Sequence, residues 1–338
     1  MGFKRNNLAV DLGNNNTIIA DKESILLDEP SIIVFNKENK SVKAVGDEAF
    51  GMIGKTHNNL KTIKPLRSGV IADFESARTM LHSLVKKIHP LNGLLKGYDT
   101  IITGVPYSST EVERRALRDA VEPFGASNNY LVFEPVAAAI GMGLDIQEPD
   151  GKFIVDIGGG ITEIVVVSLS GIVSYQSLKI GGETFDEDIQ DYFRRTYNMA
   201  IGLKEAQEAK HKAGAVLGAI SDIPEPYYVA GKDLLTGVPK KVVVDHLQLA
   251  DILDKSVSKI EHAILQALEE CLPELASDIY VNGIHLTGGG SLLRGFKKRL
   301  EEKTKLEVHH DENALQSVSK GISIILNDPR KYKSVLFK

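Results

Sequence analysis

Tryptophan is missing from this sequence, and cysteine occurs once, at Cys271. A single thiol cannot close an internal disulfide, so the fold has to rest on its core alone. No apolar run reaches the roughly 18 residues of a membrane span, and no secretory leader pattern is present, so a soluble intracellular protein is expected. The start, Met1-Gly2, lacks a Ser or Thr at position 6, which is Asn6, so a lipidation signal is not expected either. Positive charge is not in excess. With 40 Lys+Arg against 45 Asp+Glu the formal net charge is −5, which removes the broad basic field used to hold nucleic acid. No nucleic-acid partner is expected, and any phosphate must be met by local geometry. Low-complexity tracts and long linkers are lacking too. At 338 residues the chain exceeds the length, about 250 to 300 residues, at which single cores stop growing, so two domains are expected.

What the chain does have is glycine placed at the ends of apolar runs. Residues 153–167 read FIVDIGGGITEIVVV: a strand-like run, Asp156, the glycines Gly158, Gly159 and Gly160, then Glu163 inside a second run rich in β-branched residues. One or two glycines would satisfy a hairpin that needs positive φ. Three of them behind a strand-end carboxylate point further, because successive bare N–H groups form a nest that binds phosphate oxygens without a cationic side chain. LAVDLGNNNTIIA (8–20) carries the same pattern about 145 residues earlier, with Asp11, Gly13 and the polar turn Asn14, Asn15, Asn16. Two related halves are expected, each opening on the same hairpin. Asp11 and Asp156 would repel phosphate unless Mg²⁺, which keeps several of its waters, stands between. The two hairpins therefore imply a metal-bound polyphosphate held between two domains. A third glycine turn, Gly288, Gly289 and Gly290, follows the strand-like IYVNGIHLT.

Between these turns strand-like and helix-like segments alternate, which gives an α/β class. Residues 76–88 place apolar side chains at helical spacing, and Thr110 with Glu113 forms a capping box ahead of a helix stopped by Pro123 and Gly125. The strand NYLVF runs into Glu134 and Pro135, which opens a helix. Further helices are expected over 185–195, 204–214 and 247–271, with an exposed hairpin at 227–245 turning through LLTG. AFGMIGKT (49–56) ends like a Walker loop, but Ala49 stands where the first glycine belongs, so a helix end capped by Gly54 is the expectation. GGGSLLRG has the wrong glycine spacing for a dinucleotide fingerprint.

In order along the chain, DLGNNNT, GVPYSSTEVERRAL, FEPVAAAIG, DIGGGITE and TGGGSLLRG resemble the phosphate, connecting, catalytic and adenosine segments of the actin, Hsp70 and sugar-kinase ATPase superfamily. Within it they are most similar to the bacterial actin-like MreB family. DEPSIIV, AVGDEA and IKPLRSGVIADFE match its N-terminal half, so the resemblance spans nearly the whole chain. It implies an actin-like two-domain fold, each domain a ribonuclease-H-like mixed sheet flanked by helices with a smaller subdomain, and ATP or ADP with Mg²⁺ in the central cleft. Domain I would span 1–150, with subdomain IB at about 30–70; domain II would span 151–338, with IIB at about 186–250 and a C-terminal segment returning to domain I. By the same resemblance Asp11, Gly13, Asn14, Asn15 and Asn16 form the first phosphate turn and Asp156, Gly158, Gly159 and Gly160 the second. Asp11 and Asp156 would hold Mg²⁺ through water, and Gly288, Gly289 and Gly290 would lie against the nucleoside. Lys210 would flank the adenine; Gln207, where the family often has an acid, makes that contact less secure.

Glu134 would polarise the attacking water, although a carboxylate at a helix N-terminus is also favoured by the dipole alone. The family usually has threonine at the position of Ile161, where its hydroxyl helps place that water. Slow hydrolysis is expected, unless Thr162 or Glu163 compensates; alternatively Ile161 simply packs in the hairpin. Leu94 and Leu95, in HPLNGLLKGYD near Lys86, Lys87 and Lys96, match the apolar loop by which MreB-like proteins touch the inner membrane, with folding back onto the domain as the alternative. The resemblance thus implies a cytoplasmic ATPase, peripheral at the inner face of the membrane, that polymerises into double antiparallel protofilaments for cell shape. Paralogous filament proteins are further partners to expect. Rival readings are a weakly hydrolysing paralogue that copolymerises, and a sugar-kinase-like phosphotransferase, for which no acceptor-site insertion is seen. A chaperone is disfavoured because the chain stops soon after the adenosine segment.

Overall fold

A computed structural model describes residues 7–89 and 97–338. The chain divides into two compact units. One comprises Met1–Asp150, Val166–Val173 and Leu315–Lys338; the other comprises Gly151–Val165 and Ser174–Ala314.

Ten strands build two five-stranded sheets. In the first unit these are β1 (Leu8–Leu12), β2 (Asn16–Ala20), β3 (Ile25–Pro30), β4 (Thr100–Val105) and β5 (Asn128–Phe133), in the order β3-β2-β1-β4-β5. The second sheet has β6 (Lys152–Ile157), β7 (Thr162–Ser168), β8 (Gly171–Leu178), β9 (Ile284–Thr287) and β10 (Val308–His310), in the order β8-β7-β6-β9-β10. The two orders are the same. β1 pairs antiparallel with β2 and parallel with β4, which runs parallel to β5; β6, β9 and β10 are likewise parallel. The central parallel strands β4 and β9 are buried along their whole length, as parallel strands covered on both faces are.

The longer helices of the first unit are α1 (Phe74–Ile88), α2 (Glu111–Val121), α3 (Glu134–Gly141) and α9 (Ser317–Asn327). Local chemistry starts them: Asp73 accepts from the Ser76 amide at 3.0 Å, and Thr110 and Glu113 form the expected capping box. The apolar stripe of α1, with Met80, Leu81, Leu84 and Val85, joins Leu8, Val10, Ile19 and Ile101 in one core. The second unit carries α4 (Gly182–Tyr197), α5 (Leu203–Ala213), α6 (His246–Glu269), α7 (Pro273–Asn282) and α8 (Phe296–Thr304). Phe185 and Phe193 of α4 are fully buried, each burial contributing roughly 2 to 3 kcal/mol.

Each unit has an appendage. In the first, strands Ile33–Asn36, Val42–Val45 and Leu60–Ile63 enclose the small cluster of Ile32, Val34, Ala44 and Ala49. In the second, Tyr227–Asp233 and Pro239–Val244 form an antiparallel hairpin turning through Asp233, whose carboxylate accepts the Leu235 and Thr236 amides.

Two local expectations are corrected. IYVN belongs to the end of α7 and not to a strand: Pro273 opens that helix, Leu275 and Ile279 face inward, and Gly283 (φ 72°) ends it just before β9. The short helix Asp47–Gly51 is capped at Met52, and Gly54 (φ 71°) lies in the turn beyond it.

Candidate nucleotide site

The two acid-and-glycine hairpins close in the same way. The Gly13 amide donates to the Asn16 carbonyl at 3.0 Å, and the Gly158 amide donates to the Ile161 carbonyl at 2.9 Å. A Cβ on Gly13 would sit 2.9 Å from that carbonyl oxygen, closer than real side chains approach. Behind each turn the chain returns to hold it. Ser31 donates through Oγ to the Gly13 carbonyl at 2.6 Å and through its amide to Asn15 O at 2.8 Å. In the second unit, the Gly182 amide donates to Gly158 O at 3.0 Å and the Glu183 amide to Gly159 O at 2.8 Å. A trans peptide points its N–H opposite to its C=O, so fixing the carbonyls of Gly158 and Gly159 aims the N–H groups of Gly159 and Gly160 away from α4. Neither amide donates to another described residue. None of Gly158, Gly159 and Gly160 is among the positive-φ glycines, so the turn does not use the backbone freedom that a hairpin of that type needs.

The first turn is polar where the second is bare. Asn14 is buried and accepts from the Gly69 amide at 2.8 Å; Asn15 accepts from Lys64 at 3.3 Å; Asn16 donates to Asp28 at 2.6 Å. The asparagine side chains brace the loop.

Parallel pairing sets where the acids lie. β1, β4 and β5 run in register, so Asp11 near the end of β1 and Glu134 just after β5 share the carboxyl edge of their sheet. Glu134 is the first residue of α3, and its Cγ would be 3.2 Å from a Cβ on Gly104, which holds the side chain close over β4. Asp156 pairs with Thr287, so it shares the carboxyl edge of the second sheet with Gly288. Ligands of α/β sheets bind at this edge. Gly288 (φ 82°) passes so close that a Cβ would strike Asp156 Oδ1 and the Ile157 carbonyl, and one on Gly290 would strike Ile157 Cγ2. The third glycine turn is thus packed on the second. His310 contacts Ser291 Oγ at 3.0 Å, and Ser291 donates to Gly288 O at 2.6 Å.

Desolvation raises the pKa of Asp156 to about 6, and no described residue supplies its carboxylate with a hydrogen bond or cation. An incoming cation would relieve that cost. No cluster of three or more His, Cys, Asp or Glu among the described residues could itself hold a metal ion, so Mg²⁺ here would depend mostly on water and ligand oxygens.

With this geometry established, the MreB/Mbl protein family profile matches residues 5–334. The chain belongs to the MreB/Mbl family. It is 40% identical over 325 residues to the cell shape-determining protein MreB of Escherichia coli K12, covering 95% of this chain and 93% of the relative. MreB5 of Spiroplasma citri, solved with AMPPNP and again with ADP, superposes with TM-scores of 0.92 and 0.90 at 32% identity, covering 98% of both chains. A chain of the MamK double helical filament shares the fold, with a TM-score of 0.77 at 22% identity over 96% of this chain and 99% of that one. The fold is the actin-like α/β two-domain fold.

Several MreB-type site residues have partners that their position alone did not reveal. Thr162 is fully buried and donates to the Ile180 carbonyl at 2.8 Å, so its hydroxyl is not presented to a water. Glu163 is also buried. Ile161 is 9% exposed, and its carbonyl accepts the Gly158 amide. Lys210 is buried, with Nζ 2.7 Å from Asp186 Oδ1 and donating to Gly182 O at 2.7 Å. Leu94 and Leu95 lie outside the described residues. Of the lysines near them, Lys87 is paired with Glu29 at 2.7 Å. Sequence reading missed Ser31, Gly69, Gly182, Asp186, Ser291 and His310. The one available signal was the pair Gly181-Gly182 ahead of a helix.

Proposed function

We propose that the chain is an actin-like cytoskeletal protein that binds ATP or ADP with Mg²⁺, hydrolyses ATP slowly, and assembles into membrane-associated filaments that shape the cell. The observation that carries the reading is the duplicated turn, an acid near the end of a parallel strand followed by a glycine whose amide closes on the residue three further on. The nucleotide-bound MreB5 structures and the cell-shape role of E. coli MreB support it. The Gly159 and Gly160 amides bind phosphate oxygens, and Gly288, Gly289 and Gly290 form the nucleoside wall beside Asp156. Asp11 and Asp156 hold Mg²⁺ through water, where the ion would offset phosphate charge. Glu134 orients a water or accepts its proton at the γ-phosphate.

Assembly as double antiparallel protofilaments, with copolymerising paralogues as further partners, belongs to the same reading; the MamK filament supports self-assembly in general. Glu134→Ala is expected to keep ATP affinity within about threefold while phosphate release falls by about 100-fold or more. Unchanged turnover would remove Glu134 from this role. The burial of Ile161 and the engaged Thr162 hydroxyl favour a second reading, a weakly hydrolysing subunit that copolymerises with an active one. Faster phosphate release by Ile161→Thr would support that reading, and equal or slower release would count against it.

A further inference from the structure

Lys210 and Asp186 form a buried ion pair in the second unit, with Asp186 fully covered and Lys210 6% exposed. Taking two charges out of water costs several kcal/mol each unless further hydrogen bonds satisfy them. Here Lys210 also donates to Gly182 O at 2.7 Å, and Asp186, whose carboxylate oxygens have no hydrogen-bond partner among the described residues, is left to Lys210 for its compensation.

The pair acts on the glycine turn through Gly182. That residue's carbonyl is held by Lys210 and its amide by Gly158 O, while the next amide, of Glu183, holds Gly159 O. A Cβ on the preceding Gly181 would meet the Gly158 and Gly159 carbonyls at 2.5 and 2.8 Å, so the two segments lie in direct backbone contact. From the other side, Thr162 ties Ile180 to the turn at 2.8 Å. The links from α5 to the phosphate-facing amides are therefore the buried Lys210 ammonium and then backbone hydrogen bonds alone.

We infer that Lys210 and Asp186 are positioning residues: they lock the start of α4 against the second glycine turn and so orient the Gly159 and Gly160 amides toward phosphate, and Lys210 does not read the base. The inference rests on the nucleotide-binding reading. It separates from base recognition because a base contact discriminates between purines, whereas a strut on the phosphate turn serves any triphosphate alike.

The test is calorimetric binding of ATP and ITP by the full chain, with folding checked by circular dichroism. Asp186→Asn/Lys210→Met removes both charges together. It is expected to weaken ATP and ITP together by about tenfold, leaving their ratio within about twofold of wild type. Lys210→Arg keeps a cation beside Asp186 but cannot reproduce its compact contact with Gly182; a common loss of about threefold is expected. If the double variant does not melt cooperatively, Lys210→Arg decides by the same criterion. A collapse of the ATP:ITP ratio, or unchanged affinity for both, overturns the positioning role. Wild-type chain that binds neither nucleotide would sink the underlying nucleotide reading, and the inference with it.

Discussion

Asp156 and His285 lie on adjacent strands of one sheet, and burial moves their pKa values in opposite directions. Desolvation lowers His285 to about 4, with His309, stacked at 5.2 Å, and Lys152 adding repulsion; desolvation raises Asp156 to about 6. For His285 the unfolded chain binds the proton more readily, so stability is present above pH 6.5 and is lost as pH falls toward 4. For Asp156 the folded chain binds the proton more readily, so stability is gained as pH falls through 6. The raw pH curve is the difference of the two. His285→Leu isolates one side. Wild type is expected to lose about 2 kcal/mol from His285 between pH 7.5 and pH 5, and the variant to lack that loss. Urea unfolding of both proteins at the two pH values checks it, and parallel curves would show that His285 does not titrate in this window. At this scale the sequence reading reached residue types and missed partners. The Asp-Gly turns were legible because their chemistry is local. The Thr162 bond to Ile180 and the Lys210 bond to Asp186 were not, since each partner is brought near only by the sheet or by helix packing.

Elements were legible wherever their signals lie within one segment. The capping box at Thr110, the stripe of α1 and the LLTG turn all read correctly, while IYVN misread because three apolar residues in a row fit a strand as well as a helix. The crossing of α3 with α9 was invisible. A Cβ on Gly141 would strike the Ser317 carbonyl, and one on Gly321 would strike the Ala137 carbonyl, so two backbones meet where neither segment alone demands glycine. This contact fastens α9, which follows the whole second sheet in sequence, onto the first unit. Gly321→Ala should gain up to about 1 kcal/mol in helix propensity and lose more to overpacking, for a net destabilisation of about 1 to 3 kcal/mol. Gly51→Ala, at a helical glycine with nothing within 4 Å of the added Cβ, is the matched control and should be neutral or stabilising. Thermal melts decide between them; equal shifts for the two variants would show that α3 and α9 yield to the extra methyl.

At the scale of the whole molecule, the repeat read from two short hairpins extends to two complete sheets with the same strand order, so the duplication includes strands such as β4 and β9 that share no motif. The proposed membrane attachment is tested at this scale too. Among the described residues no helix is long and apolar enough to cross a membrane; in the reading proposed above, Leu94 and Leu95 are the residues that meet lipid. Burying two leucines contributes roughly 4 kcal/mol, which corresponds to a Kd of about 1 mM. Lys87 adds little attraction, because Glu29 already neutralises it. One subunit therefore should not stay on a bilayer, whereas a filament that presents many copies should, since each further contact forms at the high effective concentration set by its neighbours. Flotation with anionic liposomes is expected to carry polymer and leave monomer behind. Leu94→Ser/Leu95→Ser should abolish flotation while sedimentation without lipid stays as in wild type. Double-variant polymer that floats like wild type would mean that another surface of the molecule meets the lipid.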